Sequence, residues 1–354
     1  MSVFHASELP VAIDAMGGDH GPSVIIPAVL DVLKDRPTAR IVLVGDESIL
    51  MQQLTSLGAQ LTPQLSIHPA SQAVEMDEPP AMALRNKKDS SMRVAVNLIK
   101  EGVVSACVSA GNTGALMATA RFVLKTVSGI DRPAISTRLP TMKGFCHMLD
   151  LGANVNCTHE HLFQFAVMGS VLASVTGVKQ PKVGLLNVGH EEIKGNEEVK
   201  AASRLLLENP SINYIGFVEG DDIYKGTADV IVCDGFVGNI ALKTSEGLAK
   251  MLGMRIREAF TENWSAKIVA VLAAPVLKKV ARRLDPRIYN GASLVGLRGV
   301  VIKSHGGADR AAFANAVNYA LDIVDQDIPE RIKNQIAPFM HRNETIPSSS
   351  GLSN

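Results

Sequence analysis

Asp14, Gly17, Gly18, Asp19 and Gly21 crowd into one short stretch, between the apolar run Val11-Ala12-Ile13 and Pro22. Glycine lets backbone amides approach an anion closely and takes positive φ without steric cost. A turn of this kind running into a helix leaves the first helical amides without internal partners, and such an end can hold phosphate. A tight strand-to-helix turn that binds nothing is the competing reading. The glycine spacing is neither the G-x-G-x-x-G of dinucleotide sites nor a P-loop, which would place Gly-Lys-Ser or Gly-Lys-Thr after its last glycine.

A second cradle is Gly111-Asn112-Thr113-Gly114, preceded by Ser109 at the end of an apolar run. Here too a helix start offers amides and the positive end of its dipole to an oxyanion or phosphate. A plain N-cap by Asn112 or Thr113 is the alternative. Asp234, Gly235 and Asn239 enter a helix in the same way, again with an Asx-type cap as the alternative. Asp150 and Asn154 follow another strand-like run, and Lys194 stands in the polar loop 187–196. Lys303 and His305 close a strand near the C-terminus, and Arg93 lies in the first turn of a helix capped by Ser90. Arg93, Lys194 and Lys303 are candidate counter-charges for an anion. Asp14, Asp19, Asp150 and Asp234 would repel a phosphate dianion at contact, so their expected role is to orient lysines or loops. Ser109, Asn112, Thr113, Lys194 and His305 are the candidate catalytic contacts.

Strand candidates fall at 11–15, 40–45, 104–109, 134–139, 146–150, 182–187, 213–218, 229–233 and 299–304. Helical candidates fall at 22–35, 47–57, 91–101, 113–125, 159–175, 196–208, 237–258 and 308–325. This alternation predicts an α/β fold: a three-layer αβα arrangement around a mostly parallel sheet. Ligands of such sheets gather at the carboxyl ends of the strands. Six polar loops follow strand candidates, and the expectation is that they meet at one sheet edge around a shared pocket.

Beyond these residues, the chain carries Ser90-Ser91-Met92-Arg93, Cys107 to Ala115, Leu149 to Asn154, Cys233 to Asn239, Tyr289 to Ala292, Gly296 to Gly299 and Lys303 to Gly306. Together with the opening motif, in this order from about residue 10 to 340, they resemble the bacterial acyl-ACP:phosphate acyltransferases (ACP, acyl carrier protein). The resemblance implies a fold like that of isocitrate dehydrogenase and phosphotransacetylase, and transfer of a fatty acyl group to inorganic phosphate for phospholipid synthesis. It also implies an acidic acyl carrier protein as partner, a homodimer, a membrane-touching helical hairpin and contact with a downstream membrane glycerol-3-phosphate acyltransferase. No cofactor or metal is expected. A phosphotransacetylase acting on acyl-CoA, a metal-dependent decarboxylating dehydrogenase of the same fold and a non-catalytic membrane scaffold remain alternatives. No nicotinamide motif supports the dehydrogenase.

Charge and composition narrow the field. The 35 basic and 35 acidic residues balance, which argues against a nucleic-acid binder. Aromatics are only 4%, so the core must be aliphatic. The four cysteines form no C-x-x-C pair, and Cys107 and Cys233 read as small hydrophobes. Cys146-His147 and Cys157 to His161 lack zinc spacing. No leader pattern is visible, and the apolar run 268–277 is shorter than the ~20 residues a spanning helix needs. A soluble, cytoplasmic protein with peripheral membrane contact is therefore expected. The organisation expected is a short tail (1–9), one α/β unit (10–340) with a hairpin near 250–286, and a disordered tail (341–354). In that hairpin Trp264 and the basic residues Lys278, Lys279, Arg282 and Arg283 flank the apolar run, as at an anionic bilayer surface. Burial in a dimer is the other reading. The acidic carrier could instead meet this cluster, or Arg255 and Arg257.

Overall fold

The computed structural model describes residues 9–283 and 286–344. Eleven strands form one sheet: β1 (Val11–Asp14), β2 (Ile41–Gly45), β3 (Leu65–Pro69), β4 (Ala106–Ser109), β5 (Ala134–Thr141), β6 (Gly144–Leu149), β7 (Lys182–Leu186), β8 (Asn213–Val218), β9 (Val230–Val232), β10 (Ala292–Val295) and β11 (Val300–Lys303). Their order is β3-β2-β1-β4-β11-β10-β5-β6-β9-β7-β8.

Two apolar cores follow from strand alternation. Val11, Ile13, Ala106 and Val108 point to one face, and Ala12 and Cys107 to the other. The first face is covered by α1 (Pro22–Asp35), α2 (Glu47–Ser56), α6 (His159–Val175), α7 (Glu197–Leu207), α11 (Arg310–Ile323) and α12 (Ile328–Glu344). The second is covered chiefly by α3 (Pro80–Asn86), α4 (Ser91–Lys100), α5 (Thr113–Leu124) and the short α8 (Asp222–Lys225). This is the expected three-layer α/β arrangement. Helix α6 is apolar nearly all round and buried from His161 to Ala173, because α7 and α12 pack on the side that does not face the sheet.

The sheet is not uniformly parallel. β10 runs antiparallel to both β11 and β5, and β5 antiparallel to β6. The remaining pairs are parallel. The three reversals leave β6, β9, β7 and β8 pointing opposite to β1, β2, β3, β4 and β11. Carboxyl ends of the two groups therefore leave the sheet at opposite edges.

Between β9 and β10 come two long helices, α9 (Gly235–Thr261) and α10 (Trp264–Arg283), starting earlier in the chain than the expected hairpin. Leu248, Met251, Leu252, Met254, Trp264, Val271, Leu272 and Val276 are exposed along it. Among the described residues no helix is long and apolar enough to cross a membrane. Helix α12 continues to Glu344, past the tail boundary expected at 341. The residues beyond it, those before residue 9, and the side chains of Lys278, Arg282 and Arg283 lie outside the described residues.

Candidate active site

At the carboxyl edge of β1, β4 and β11, three loops touch. A Cβ on Gly17 would come 2.8 Å from the Gly111 amide nitrogen, and one on Gly18 would come 2.9 Å from the Gly306 carbonyl. Gly18 also has φ +84°, which disfavours any side chain. The Asp19 amide donates to the Gly306 carbonyl at 3.0 Å, locking the loop after β1 to the loop after β11.

Asp14 lies beneath these loops, fully buried. Its carboxylate accepts from the Ser91 hydroxyl and the Ser109 hydroxyl, both at 2.6 Å. Burial pushes its pKa up, while these hydroxyls, the Met16 amide and the nearby Lys303 oppose the shift. Ser109 also accepts from the Gly111 amide at 3.1 Å. With every bond spent inside the protein and no exposure, Ser109 positions the cradle rather than touching a ligand. Ser91 is a member of the site that sequence reasoning quoted in a motif but did not select. Its signal was a second hydroxyl directly after the N-cap serine.

Lys303 ends β11 at the same depth and is 8% exposed. Its ammonium donates to the carbonyls of Ala110, at 3.3 Å, and Ser304. Burial lowers its pKa to about 8, opposed by Asp14 and Asp19. No carboxylate lies in ion-pair contact with it among the described residues, so its charge has room for an anionic ligand. Around it stand open donors: among the described residues no partner accepts from the amides of Gly17, Gly18, Gly21, Thr113 or Gly114. Thr113 is exposed with its hydroxyl free in the same sense. His305 is exposed at the rim, its Nδ1 accepting from the Gly307 amide at 3.0 Å.

Asn112 is the helix cap that the alternative reading described. Its Oδ1 accepts from the Ala115 amide at 3.0 Å, and its Nδ2 donates to the carbonyls of Met76 and Glu78. It thus ties the loop 70–79 over the cradle. Gly114 serves packing as well: a Cβ there would meet Pro80 at 2.7 Å.

The expectation of one pocket fed by six loops is corrected. Asp150, Asn154, Asp234, Gly235, Asn239 and Lys194 leave the sheet at the other edge, because β6, β7 and β9 run opposite to β1. Among the described residues no hydrogen bond or ion pair joins the two groups. Asp150 is a buried latch there, accepting from the amides of Ile135, Ala153 and Asn154 and from the Asn154 side chain. Burial raises its pKa against those bonds. Asp234 caps α9 through the Val237 amide, occupying the helix end that an anion would need. Gly235 carries no Cβ because one would meet the Asn154 carbonyl at 2.7 Å. Asn239 lies against Gly152, and Lys194 is exposed in its loop.

Arg93 is likewise not in the cradle. Its guanidinium donates to the Leu84 carbonyl and sits 5.1 Å above the Phe122 ring, out on α5.

The cysteines offer no thiolate. Burial raises Cys107 and Cys233 well above the usual thiol range, Cys146 to about 12 and Cys157 to about 11. Cys107 and Cys233 pack in the second core, as expected of small hydrophobes.

A buried lysine beside open amides at two helix starts is an arrangement that suits an anion. The profile of the fatty acid synthesis protein family matches residues 9–331. A protein of Methylococcus capsulatus named phosphate acyltransferase is 57% identical, covering 94% of this chain and 98% of its own length. One of the same name from Alkalilimnicola ehrlichii is 55% identical, over 95% and 98%. The chain belongs to the phosphate acyltransferase family.

Solved structures place its fold. A phosphotransacetylase from Streptococcus pyogenes superposes with TM-score 0.61 at 18% identity, over 93% of this chain and 99% of that one. A phosphotransacetylase from Staphylococcus aureus gives 0.59 at 16% identity, over 91% and 95%. At such identities the likeness establishes the fold of this acyltransferase and nothing finer.

Proposed function

We propose that the protein transfers a long-chain acyl group from acyl-ACP to inorganic phosphate, giving acyl phosphate and free ACP for phospholipid synthesis. The observation that carries this reading is Lys303, a buried cation beside the free amides of the loops that open α1 and α5.

Orthophosphate is anionic near neutral pH and needs no strong base. A phosphate oxygen attacks the thioester carbonyl carbon, and the carbonyl oxygen becomes a tetrahedral oxyanion. The C–S bond then breaks, and the thiolate leaves with the electron pair. Its parent thiol has a pKa of about 8.5, so departure needs little acid help; His305, at the rim, supplies or relays that proton. Lys303 and the amides of Gly17, Gly18 and Gly21 hold phosphate. The Thr113 and Gly114 amides, with the Thr113 hydroxyl, face the oxyanion. One preorganised donor of this kind contributes about 3 kcal/mol. Asp14, fixed by Ser91 and Ser109, keeps Lys303 charged and aimed, and the proximity of the two reactants supplies the rest.

The exposed apolar residues of α9 and α10 support a surface that meets a second copy of the chain, a membrane, or both. On this reading the enzyme works in the cytoplasm at the membrane surface. There it passes acyl phosphate to a membrane glycerol-3-phosphate acyltransferase.

The test incubates the protein with palmitoyl-ACP and follows free thiol with and without phosphate. Thiol released only with phosphate supports the reading. No release with any donor overturns it in favour of a scaffold, and release only from short-chain acyl-CoA favours a phosphotransacetylase.

A further inference from the structure

Helices α3 and α4 both pack against α5, and the three carry a run of cations with few acids among them. From 79 to 128 the sequence holds Arg85, Lys87, Lys88, Arg93, Lys100, Arg121 and Lys125, against only Asp89 and Glu101. Asp89 is occupied by the Ser71 amide and hydroxyl, and Lys87 is paired with Glu78. The other six cations form no ion pair with a described residue.

At the centre of this face is Phe122, 53% exposed. The Arg93 guanidinium lies 5.1 Å from its ring centroid and the Lys125 ammonium 4.9 Å. Arg298 joins them: its Nε donates to the Thr126 carbonyl, and its amide to the Lys125 carbonyl. Lys125 holds φ +63°, a conformation that residues with a Cβ avoid. An exposed aromatic clasped by cations is the composition of an interface centre, whereas a solvated face would intersperse both signs. Phe122 is nine residues along α5 from Thr113, or roughly 14 Å from the cradle.

We propose that the surface of Arg93, Phe122, Lys125 and Arg298 docks an acidic protein that presents its acyl thioester on a flexible arm to the cradle at the start of α5. The inference rests on the proposed acyl transfer and assigns the carrier to this face rather than to Arg255 and Arg257 on α9. Opposite charge would steer the encounter, and Phe122 would supply the desolvated contact.

The experiment measures phosphate-dependent thiol release from two donors, an acyl carrier protein thioester and the uncharged acyl-pantetheine. Three full-length variants are compared: Phe122→Ala, Lys125→Glu with Arg298→Glu, and Arg255→Glu with Arg257→Glu. The expected result is a tenfold or greater rise in carrier KM for the first two, with kcat and acyl-pantetheine kinetics unchanged. In the unmodified protein, carrier KM should rise with salt while the pantetheine KM does not. Unchanged carrier KM in both α5-face variants, or a comparable rise only in the α9 variant, overturns the docking site. Absence of phosphate-dependent release from either donor in the unmodified protein instead overturns the acyl-transfer reading beneath it.

Discussion

Replacing Lys303 by methionine separates what this residue does for function from what it costs the fold. In the native protein burial lowers its pKa from the ordinary 10.5 to about 8. Below pH 8 it is protonated in both native and unfolded chains, and the fold carries a constant penalty of about 3 kcal/mol for keeping the charge buried. Between pH 8 and 10.5 the native state gives up the proton while the unfolded state keeps it. The unfolded state then binds more protons, so stability rises with pH. Methionine fills a similar volume and does not titrate. Its unpaired Ala110 and Ser304 carbonyls cost the same at every pH. Unfolding by urea at pH 7.5 and 9.5 reads the difference between the two proteins. The native protein should gain about 2 kcal/mol on the variant across that interval. The variant should also lose phosphate-dependent turnover at both pH values. A stability difference that is the same at both would refute a buried, reluctant cation at this position.

Other expectations follow from the same geometry. Affinity for phosphate should weaken above about pH 8, as Lys303 loses its proton, and a pH series of phosphate KM reads this directly. Ser91→Ala and Ser109→Ala each remove one bond to buried Asp14 and should cost about 1–3 kcal/mol of stability, with phosphate KM raised more than carrier KM. Asp150→Asn should lower stability by about 2 kcal/mol or more through its lost latch bonds, yet leave phosphate KM unchanged, since it lies at the other edge. Gly169→Ala on α6 would bring a Cβ within 2.5 Å of Val230 and should cost about 1–3 kcal/mol in urea unfolding.

Capping chemistry made much of this molecule legible. Ser90, between α3 and α4, and Asn112 and Asp234, each between a strand and a helix, stand where a short oxygen can accept an early helical amide, and each does so. The buried strands read as apolar runs, and nine of the eleven were expected. β3 and β10 were missed, and only β10 bears on the largest error. β3 ends in a proline and is buried chiefly at Leu65, so its pattern is weak. β10 is four residues between Gly291 and Gly296, too short to give a period. Yet β10, with the β5–β6 hairpin, reverses the sheet and sends Asp150, Lys194 and Asp234 away from the cradle. Local sequence reports that a loop follows a strand; the direction of that strand is set by partners distant in the chain. Arg93 failed for a similar reason, since its seat over Phe122 depends on how α4 packs against α5.

The central claim is that phosphate binds at the carboxyl edge of β1, β4 and β11. A crystal structure with phosphate or orthovanadate tests it most directly. The anion should lie between the Lys303 ammonium and the amides of the loops at Gly17 to Gly21 and Gly111 to Gly114. An anion found instead at the Asp150 and Asp234 edge, with the Lys303 cradle empty, would contradict the account.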